Sequence, residues 1–378
     1  MELKKIREEI DGLDRELLPL ILKRMALSAS AAESGALTPA EVKARERDML
    51  RWVSGQDCGE MEQYIHRFYS SLFELSRAYR EVSSPVGGKI RGLLETALAR
   101  ETGEFPQSGT VAVQGVEGAN SQMAADSLFP RGNLIFFKSF EAVFDAVESG
   151  LCRFGILPIE NSSNGSVRAN YELLNRKNVR IVRSTRLCIR HVLLGQPGVT
   201  LDRIKEIRSH EQALGQCSEF LKSLGDRVKV IPCPNTAMAA ELASRSEFGD
   251  IAAIASHSAG ELYGLEPILK NIQNSDNNYT RFICISRECE IYPGADRISL
   301  ILALRHRPGA LYEVLARLTA LGINLIKLES CPIVGHDFEF MFFFEMQGSV
   351  RDPKVAAMLE ALESTCESFK FLGNHSEA

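Results

Sequence analysis

The stretch "NSDNNYTRFICIS", residues 274–286, sets three asparagines, a threonine and an arginine directly against an apolar run, Phe282 to Ile285. A short bounded run of this kind reads as a buried strand, so a strand with a polar mouth is expected here. Working back toward the N-terminus, "TVAVQG" from Thr110, "FGILPI" and "IAAIAS" are further short apolar strands, and helical stretches alternate with them. That alternation predicts α/β units around mostly parallel sheets. The question is what Thr280 and Arg281 do at the mouth of their strand.

Outside this region the chain changes character twice. Residues 1–82 are helical in pattern: Leu3, Ile6, Ile10, Leu13, Leu17 and Leu20 recur at spacings of three and four, a stripe of period near 3.6. "ESGALTPAE" breaks it, with Thr38 as N-cap and Pro39 in the first turn of a second helix. A third helix is expected from about Met61 to Val82. "SSPVGG" (83–88) is a break, and a helix-prone linker follows up to "GEFPQSG". From Arg297 the order is strand, helix from Leu311 to Leu321, two strands, helix from about Pro353 and a last strand at "FKFLG". This is the βαββαβ order of small ferredoxin-like domains.

Bulk properties limit the function classes. At 378 residues the chain is long enough for two or three domains, and 45% hydrophobic with 25% charged residues is ordinary for a globular protein. A net charge of −5 without a basic run argues against a nucleic-acid surface. The nine cysteines contain no CxxC pair and sit mostly in apolar stretches, so reduced thiols are expected. The N-terminus lacks a signal-peptide core and no run is long enough to span a bilayer, so a cytoplasmic location is expected. The seven histidines show no ligand-like pairing; no metal and no cofactor are expected.

Four polar constellations lie where a strand meets a loop: "QGVEGANSQMAA" (114–125), "LPIENSSNGSV" (157–167), "RSHEQALGQC" (208–217) and the opening stretch. Each has an ordinary explanation. The first is a glycine-permitted turn before a helix, with Ser121 near the helix start; it is not the GxGxxG of dinucleotide binding. The second is an Asn/Ser/Gly turn, although Glu160 directly after a buried strand favours function. The third is a serine cap before a solvated helical face. In helix one, Arg7 and Arg24 sit beside the apolar stripe, where arginines commonly snorkel. Seventeen residues separate them, about 25 Å along one helix, so they share a small ligand only if a second chain supplies one.

Taken in order, "GVEGANSQMAA", "PIENSSNGSV", "SHEQALGQC", "AAIASHSAGELYGL" and "NNYTRF" resemble the prephenate dehydratases over about residues 110–286. The resemblance implies two α/β lobes like those of type-II periplasmic binding proteins, with the active cleft between them. It assigns Thr280 the role of proton donor and adds Glu160, Asn161, Ser209 and Gln216 to the catalytic set. Ser121 stands at the cleft edge, and Arg281 is either a carboxylate ligand or a structural anchor. Asn120 and Gln122 stand where many relatives carry tyrosine and histidine.

"LKKIREEIDGLDRELLPLILKRMAL" with "ARERDMLRWV" resembles the all-helical chorismate mutases, which form intertwined dimers. This implies that Arg7, Arg24 and Arg45 bind carboxylates and that Glu46 meets the substrate hydroxyl. Two positions depart from that pattern: Gly35 replaces the lysine, and Arg80 the glutamine, that donate to the ether oxygen. "HRPGALYEVLARLTALGINLIKLESCP" (306–332) resembles the ACT regulatory domain. That implies a phenylalanine site at Gly309, Ala310, Leu311, Asn324, Leu325 and Glu329, with Cys331 in place of a usual arginine. The expected architecture is a three-helix domain at 1–84, a linker at 85–109, a two-lobed dehydratase at 110–287 and an α+β ACT domain at 296–378. The implied protein converts chorismate to prephenate and prephenate to phenylpyruvate and is feedback-regulated by phenylalanine as a homo-oligomer, at least a dimer. A monofunctional dehydratase with helices used only for dimerisation, and a small-molecule binder on the same two-lobed fold, are the alternatives.

Overall fold

The computed structural model describes residues 2–33, 38–83, 88–100, 102–163, 165–332 and 340–378. Two compact units divide the chain, one made of Met1–Ala99 and Ile301–Lys370, the other of Arg100–Leu300 and Phe371–Ala378.

The first unit begins with α1 (Glu2–Glu33), α2 (Pro39–Ser54) and α3 (Glu62–Ser83). Thr38 caps α2 as expected: its Oγ1 accepts the Glu41 N–H, while the Glu41 carboxylate accepts the Thr38 N–H at 2.6 Å. Pro39 follows inside the first turn. The stripe on α1 behaves differently from an ordinary core face. Leu3, Ile6, Ile10, Leu13, Leu17 and Leu20 are all exposed, Leu13 by 66%, because only the C-terminal part of α1, around Ile21, Arg24 and Met25, is partly covered. The segment at 85–109, expected as a linker, contains a fourth helix, α4 (Lys89–Ala99). Ile90, Leu94 and Ala97 recur at helical spacing and are buried, so this part of the segment is packed rather than extended.

In the second unit the chain builds two sheets. One lobe holds β1 (Ser108–Gln114), α5 (Asn120–Leu128), β2 (Arg131–Phe137), α6 (Phe140–Glu148), β3 (Phe154–Asn161), β4 (Gly165–Ser166), α7 (Arg168–Arg176) and β5 (Arg180–Cys188). The chain then crosses to a second lobe with β6 (Val192–Gly195), β7 (Glu206–Ser209), α8 (Glu211–Gln216), α9 (Ser218–Leu224), β8 (Lys229–Pro232), α10 (Thr236–Ser244), β9 (Ile251–Ala255), α11 (His257–Tyr263) and β10 (Glu266–Lys270). It returns to the first lobe in β11 (Tyr279–Ser286), the strand of the opening quotation.

Strand order is β5-β11-β3-β1-β2 in the first lobe and β10-β6-β9-β7-β8 in the second. Both sheets are mixed, not mostly parallel as expected: β1 is parallel to β2 and β3, but β11 runs antiparallel to β3 and β5 on either side of it. The cause is the double crossing. A chain that leaves through β5 and comes back through β11 enters the sheet from its open end, with Thr280 at the entrance. Each lobe has its own core, one around Val111, Phe129, Phe154, Ile156 and Phe282, the others around Leu193, Ile207, Ile254 and Leu194, Ala253, Ala255.

The C-terminal elements are β12 (Arg297–Ala303), α12 (Ala310–Ala320), β13 (Leu325–Pro332), β14 (Phe340–Gln347), α13 (Pro353–Thr365) and β15 (Ser368–Glu377), in the expected βαββαβ order with sheet order β13-β14-β12-β15. Within the first unit α13 covers α4, with Arg91 Nε 2.9 Å from Glu360 and Glu363 accepting the Ile90 N–H at 3.1 Å. Within the second unit the end of β15 lies parallel beside β5, Glu377 opposite Ser184.

Candidate active sites

The two segments that join the lobes, residues 189–191 and 271–278, run side by side. Ile189 N–H donates to Asn278 O at 2.7 Å, Ile272 N–H to His191 O at 3.2 Å, and His191 N–H to Gln273 Oε1 at 3.1 Å. Asn271 adopts a left-handed φ of 56° as the return begins, a conformation asparagine tolerates better than most residues. A second connection closes the lobes at the side: Ser256 Oγ, at the start of α11, donates to Gly118 O at 3.1 Å. A Cβ on Gly118 (φ 84°) would lie 3.3 Å from the Ala259 Cα, so only glycine lets the 115–119 loop approach α11 this closely.

At the hinge, β3 ends in Glu160 and Asn161, and β11 begins with Tyr279 and Thr280, Thr280 pairing in register with Asn161. Asn161 is 6% exposed. Its Nδ2 donates to Thr280 Oγ1 at 2.9 Å and to Asn278 Oδ1 at 3.0 Å, while its Oδ1 accepts the Ser163 N–H at 3.0 Å. Ser162 grips the opposite strand: its Oγ accepts the Tyr279 N–H at 2.9 Å and donates to Asn277 O at 2.8 Å. The Asn/Ser-rich turn is therefore a clamp on the polar mouth of β11. Asn164 lies outside the described residues. Glu160 is half-buried beside this node.

Arg281 follows Thr280 on the strand and so faces the other way. Its Nε is 2.9 Å from Glu377, its Nη2 3.4 Å from Ser184 Oγ, and the residue is 6% exposed. Of the two roles the sequence leaves open, these contacts are those of an anchor, with the guanidinium on Glu377. That carboxylate also meets Arg186 Nε at 2.9 Å and both Nη of Arg297 at 3.0 and 3.2 Å. Three arginines thus converge on one half-enclosed glutamate at the far end of the chain, which no local motif foretells.

In the second lobe Gln216 ends α8 and its Oε1 is 2.8 Å from His191 Nε2. Burial holds the His191 imidazole below its ordinary pKa, so it is neutral near pH 7 and donates Nε2–H to that oxygen. The Gln216 Nε2 is left buried without a protein partner, as is Nδ2 of Asn278. Ser209 departs from its expected catalytic role: it is fully buried and its Oγ donates to Ile254 O at 2.5 Å, which ties β7 to β9 beneath α8. Ser121 is buried in the first turn of α5, one turn beyond the Gly118 contact. His191 and Asn278 were missed from sequence, although Asn278 stands in the quoted stretch. The cysteine thiols have no part in the node: burial pushes Cys217 up to about 12 and Cys289 to about 11.

Among the three helices, Arg24 Nη1 donates to Ser76 Oγ at 2.9 Å and its guanidinium lies 5.2 Å from the Phe73 ring centroid. Burial lowers the Arg24 pKa, opposed by the charge of Glu46, with Arg80 and Arg45 close enough to add to the lowering. One chain therefore gathers Arg24, Arg45, Glu46 and Arg80. Arg7, exposed near the start of α1, does not join them. Arg77, missed from sequence, pairs with both Glu46 and Glu74; the Glu74–Arg77 spacing of three on a helix was the available signal. Arg80 Nε donates to Ser76 O at 3.3 Å. Gly35 lies outside the described residues.

In the C-terminal region a cavity of about 200 Å³ is lined by Arg305, His306, Arg307, Ala310, Leu311, Phe340, Phe342 and Glu367, among others. Gly309 caps α12 at φ 84°. Asn324, Leu325 and Glu329 sit at or on β13 and do not line this cavity within one chain.

A family model described as prephenate dehydratase matches residues 111–290, and one described as chorismate mutase type II matches residues 6–81. A relative named arogenate dehydratase/prephenate dehydratase 2, chloroplastic, from Arabidopsis thaliana is 36% identical over 70% of this chain and 72% of its own length. The bifunctional chorismate mutase/prephenate dehydratase of Enterobacter agglomerans is 28% identical over 97% of this chain and 94% of its own. The solved prephenate dehydratase of Arthrobacter aurescens, in complex with L-Phe, superposes with a TM-score of 0.65 at 28% identity, covering 71% of this chain and 89% of that one.

Proposed function

The chain belongs to the prephenate dehydratase family and carries a chorismate mutase type II domain ahead of it, and from that premise we propose how its own residues run the two reactions, chorismate to prephenate and prephenate to phenylpyruvate. The observation that carries the second is the 2.9 Å hydrogen bond from Asn161 Nδ2 to Thr280 Oγ1. Because Thr280 accepts there, its single O–H is available to the cleft. In prephenate the ring carboxylate leaves as CO2, its bonding pair enters the ring, and the C4–O bond breaks as the ring becomes aromatic. The hydroxide leaves as water with the Thr280 proton, and solvent reprotonates the threonine. An oriented donor of this kind is typically worth about 10²–10⁴-fold in rate. Gln216 Nε2 is a donor for a substrate oxygen from the opposite lobe. Keeping Arg281 on Glu377 also matters, because a guanidinium against the ring carboxylate would oppose decarboxylation.

The mutase reaction is a rearrangement that needs neither nucleophile nor proton relay, only a compact conformer and stabilised charge. Arg24 and Arg45 would bind carboxylates, with Glu46 held by Arg77 and Arg80 standing for the usual glutamine. The reading is of an intertwined dimer, in which a partner covers the exposed stripe of α1 and brings its Arg7 to this site. It further includes phenylalanine binding at the Gly309–Leu311 cavity, supported by the L-Phe in the Arthrobacter relative, with Asn324, Leu325 and Glu329 supplied across the dimer. A cytoplasmic location is part of the same reading; no helix among the described residues is long and apolar enough to cross a membrane. Prephenate is taken over arogenate because a relative spanning nearly the full length is named for prephenate. The test is to supply the purified protein with chorismate, prephenate or arogenate. Phenylpyruvate from chorismate is expected; phenylpyruvate from prephenate alone would leave the helices only a structural role.

A further inference from the structure

Asn278 lies in the returning hinge segment, two residues ahead of Thr280, and is 2% exposed. Its Oδ1 takes one of the two Nδ2 hydrogens of Asn161 at 3.0 Å; the other goes to Thr280 Oγ1 at 2.9 Å. A primary amide offers two donors on one side and a carbonyl on the other, and its orientation follows from the network around it. Were Asn161 to turn over, its carbonyl would face the Asn278 carbonyl and its NH2 would face the Ser163 N–H. The contact with the Ser163 N–H would repel outright, and the one with Asn278 would repel unless that amide turned over as well.

The polarity matters because a hydroxyl has one proton. If Asn161 offered Thr280 a carbonyl, the threonine O–H would point at Asn161 and nothing would point at the leaving group. Building on the dehydratase reading, we infer that Asn278 is a positioning residue for the dehydration, acting through Asn161 to keep Thr280 an acceptor from protein and a donor to substrate. The Nδ2 of Asn278 is buried and has no protein partner.

The test uses the full-length protein with prephenate as substrate and mutase turnover of the same preparation as a check on folding. Asn278→Ala is expected to lower dehydratase kcat about 30-fold with KM changed less than about threefold, a part of what an oriented donor is worth. In the Asn161→Ala background the same substitution is expected to change kcat by less than about twofold, since residues acting through one another are not additive. The isosteric Asn278→Asp keeps the acceptor oxygen and is expected to restore kcat to within about tenfold of wild type, again on the donor scale. Additive losses in the double variant, a loss confined to KM, or an Asn278→Asp protein no better than Asn278→Ala would overturn the inference and leave the dehydratase reading standing. Failure of the wild type to turn over prephenate would remove both.

Discussion

The helical region and the two-lobed unit use similar side chains in opposite ways. In the helices Arg24, Arg45, Glu46 and Arg80 come from three helices, and an apolar stripe beside them, Leu3 to Leu20, stays exposed. In the two-lobed unit Asn161, Asn278 and Thr280 form one hydrogen-bonded node inside a single chain, clamped by Ser162 and backed by Arg281 on Glu377. On the proposed reading the first site is half of a two-chain site and the second is complete in one chain. Dependence on a partner chain is therefore expected of one activity and not of the other.

Thr280→Val is the severest test of the complete site. Dehydratase kcat should fall about 10³-fold while prephenate Kd, by calorimetry, moves less than about threefold, the behaviour of a lost proton donor; the mutase rate should not change. Next in size is Glu377→Ala, which removes the carboxylate that Arg186, Arg281 and Arg297 share. Removing one partner of an enclosed ion pair typically costs 3–5 kcal/mol, so the central unit should lose about 3 kcal/mol in urea unfolding.

The half site is tested by mixing. Arg7→Ala and Arg24→Ala chains should each lack mutase activity, yet subunit exchange should restore about a quarter of the sites, because half the dimers are mixed and one of their two sites is intact. No recovery on mixing would contradict a site shared between two chains. The smallest effect concerns pH. The His191 pKa is lowered by burial, so below its unfolded value of about 6.5 the unfolded chain binds a proton that the native state refuses. Stability should fall as pH drops below that point, by up to about 1.4 kcal/mol per unit, and His191→Gln should flatten that part of the profile.

How much could be read beforehand differs between the regions for a physical reason. The three helices, the N-cap at Thr38 and the βαββαβ order follow from local periodicity and local hydrogen bonds, and they were legible. Asn161 and Thr280 were singled out by polar runs against apolar strands and by the family resemblance, but their hydrogen bond and the part of Asn278 were not. The antiparallel entry of β11 was not, since direction depends on two crossings between lobes rather than on any residue of the strand. Nor was the fate of Arg281, decided by Glu377 almost a hundred positions away. Ser209 misled because a serine before a helix looks the same whether its hydroxyl faces a cleft or a neighbouring carbonyl. Periodicity likewise marks the apolar stripe of α1 without saying what, if anything, meets it.

The most direct measurement is to feed chorismate to the Thr280→Val protein and follow both products by rapid quench. Prephenate should build up at the wild-type rate with almost no phenylpyruvate behind it. Phenylpyruvate appearing as fast as from the unaltered protein would contradict the assignment of the departing hydroxyl's proton to that threonine.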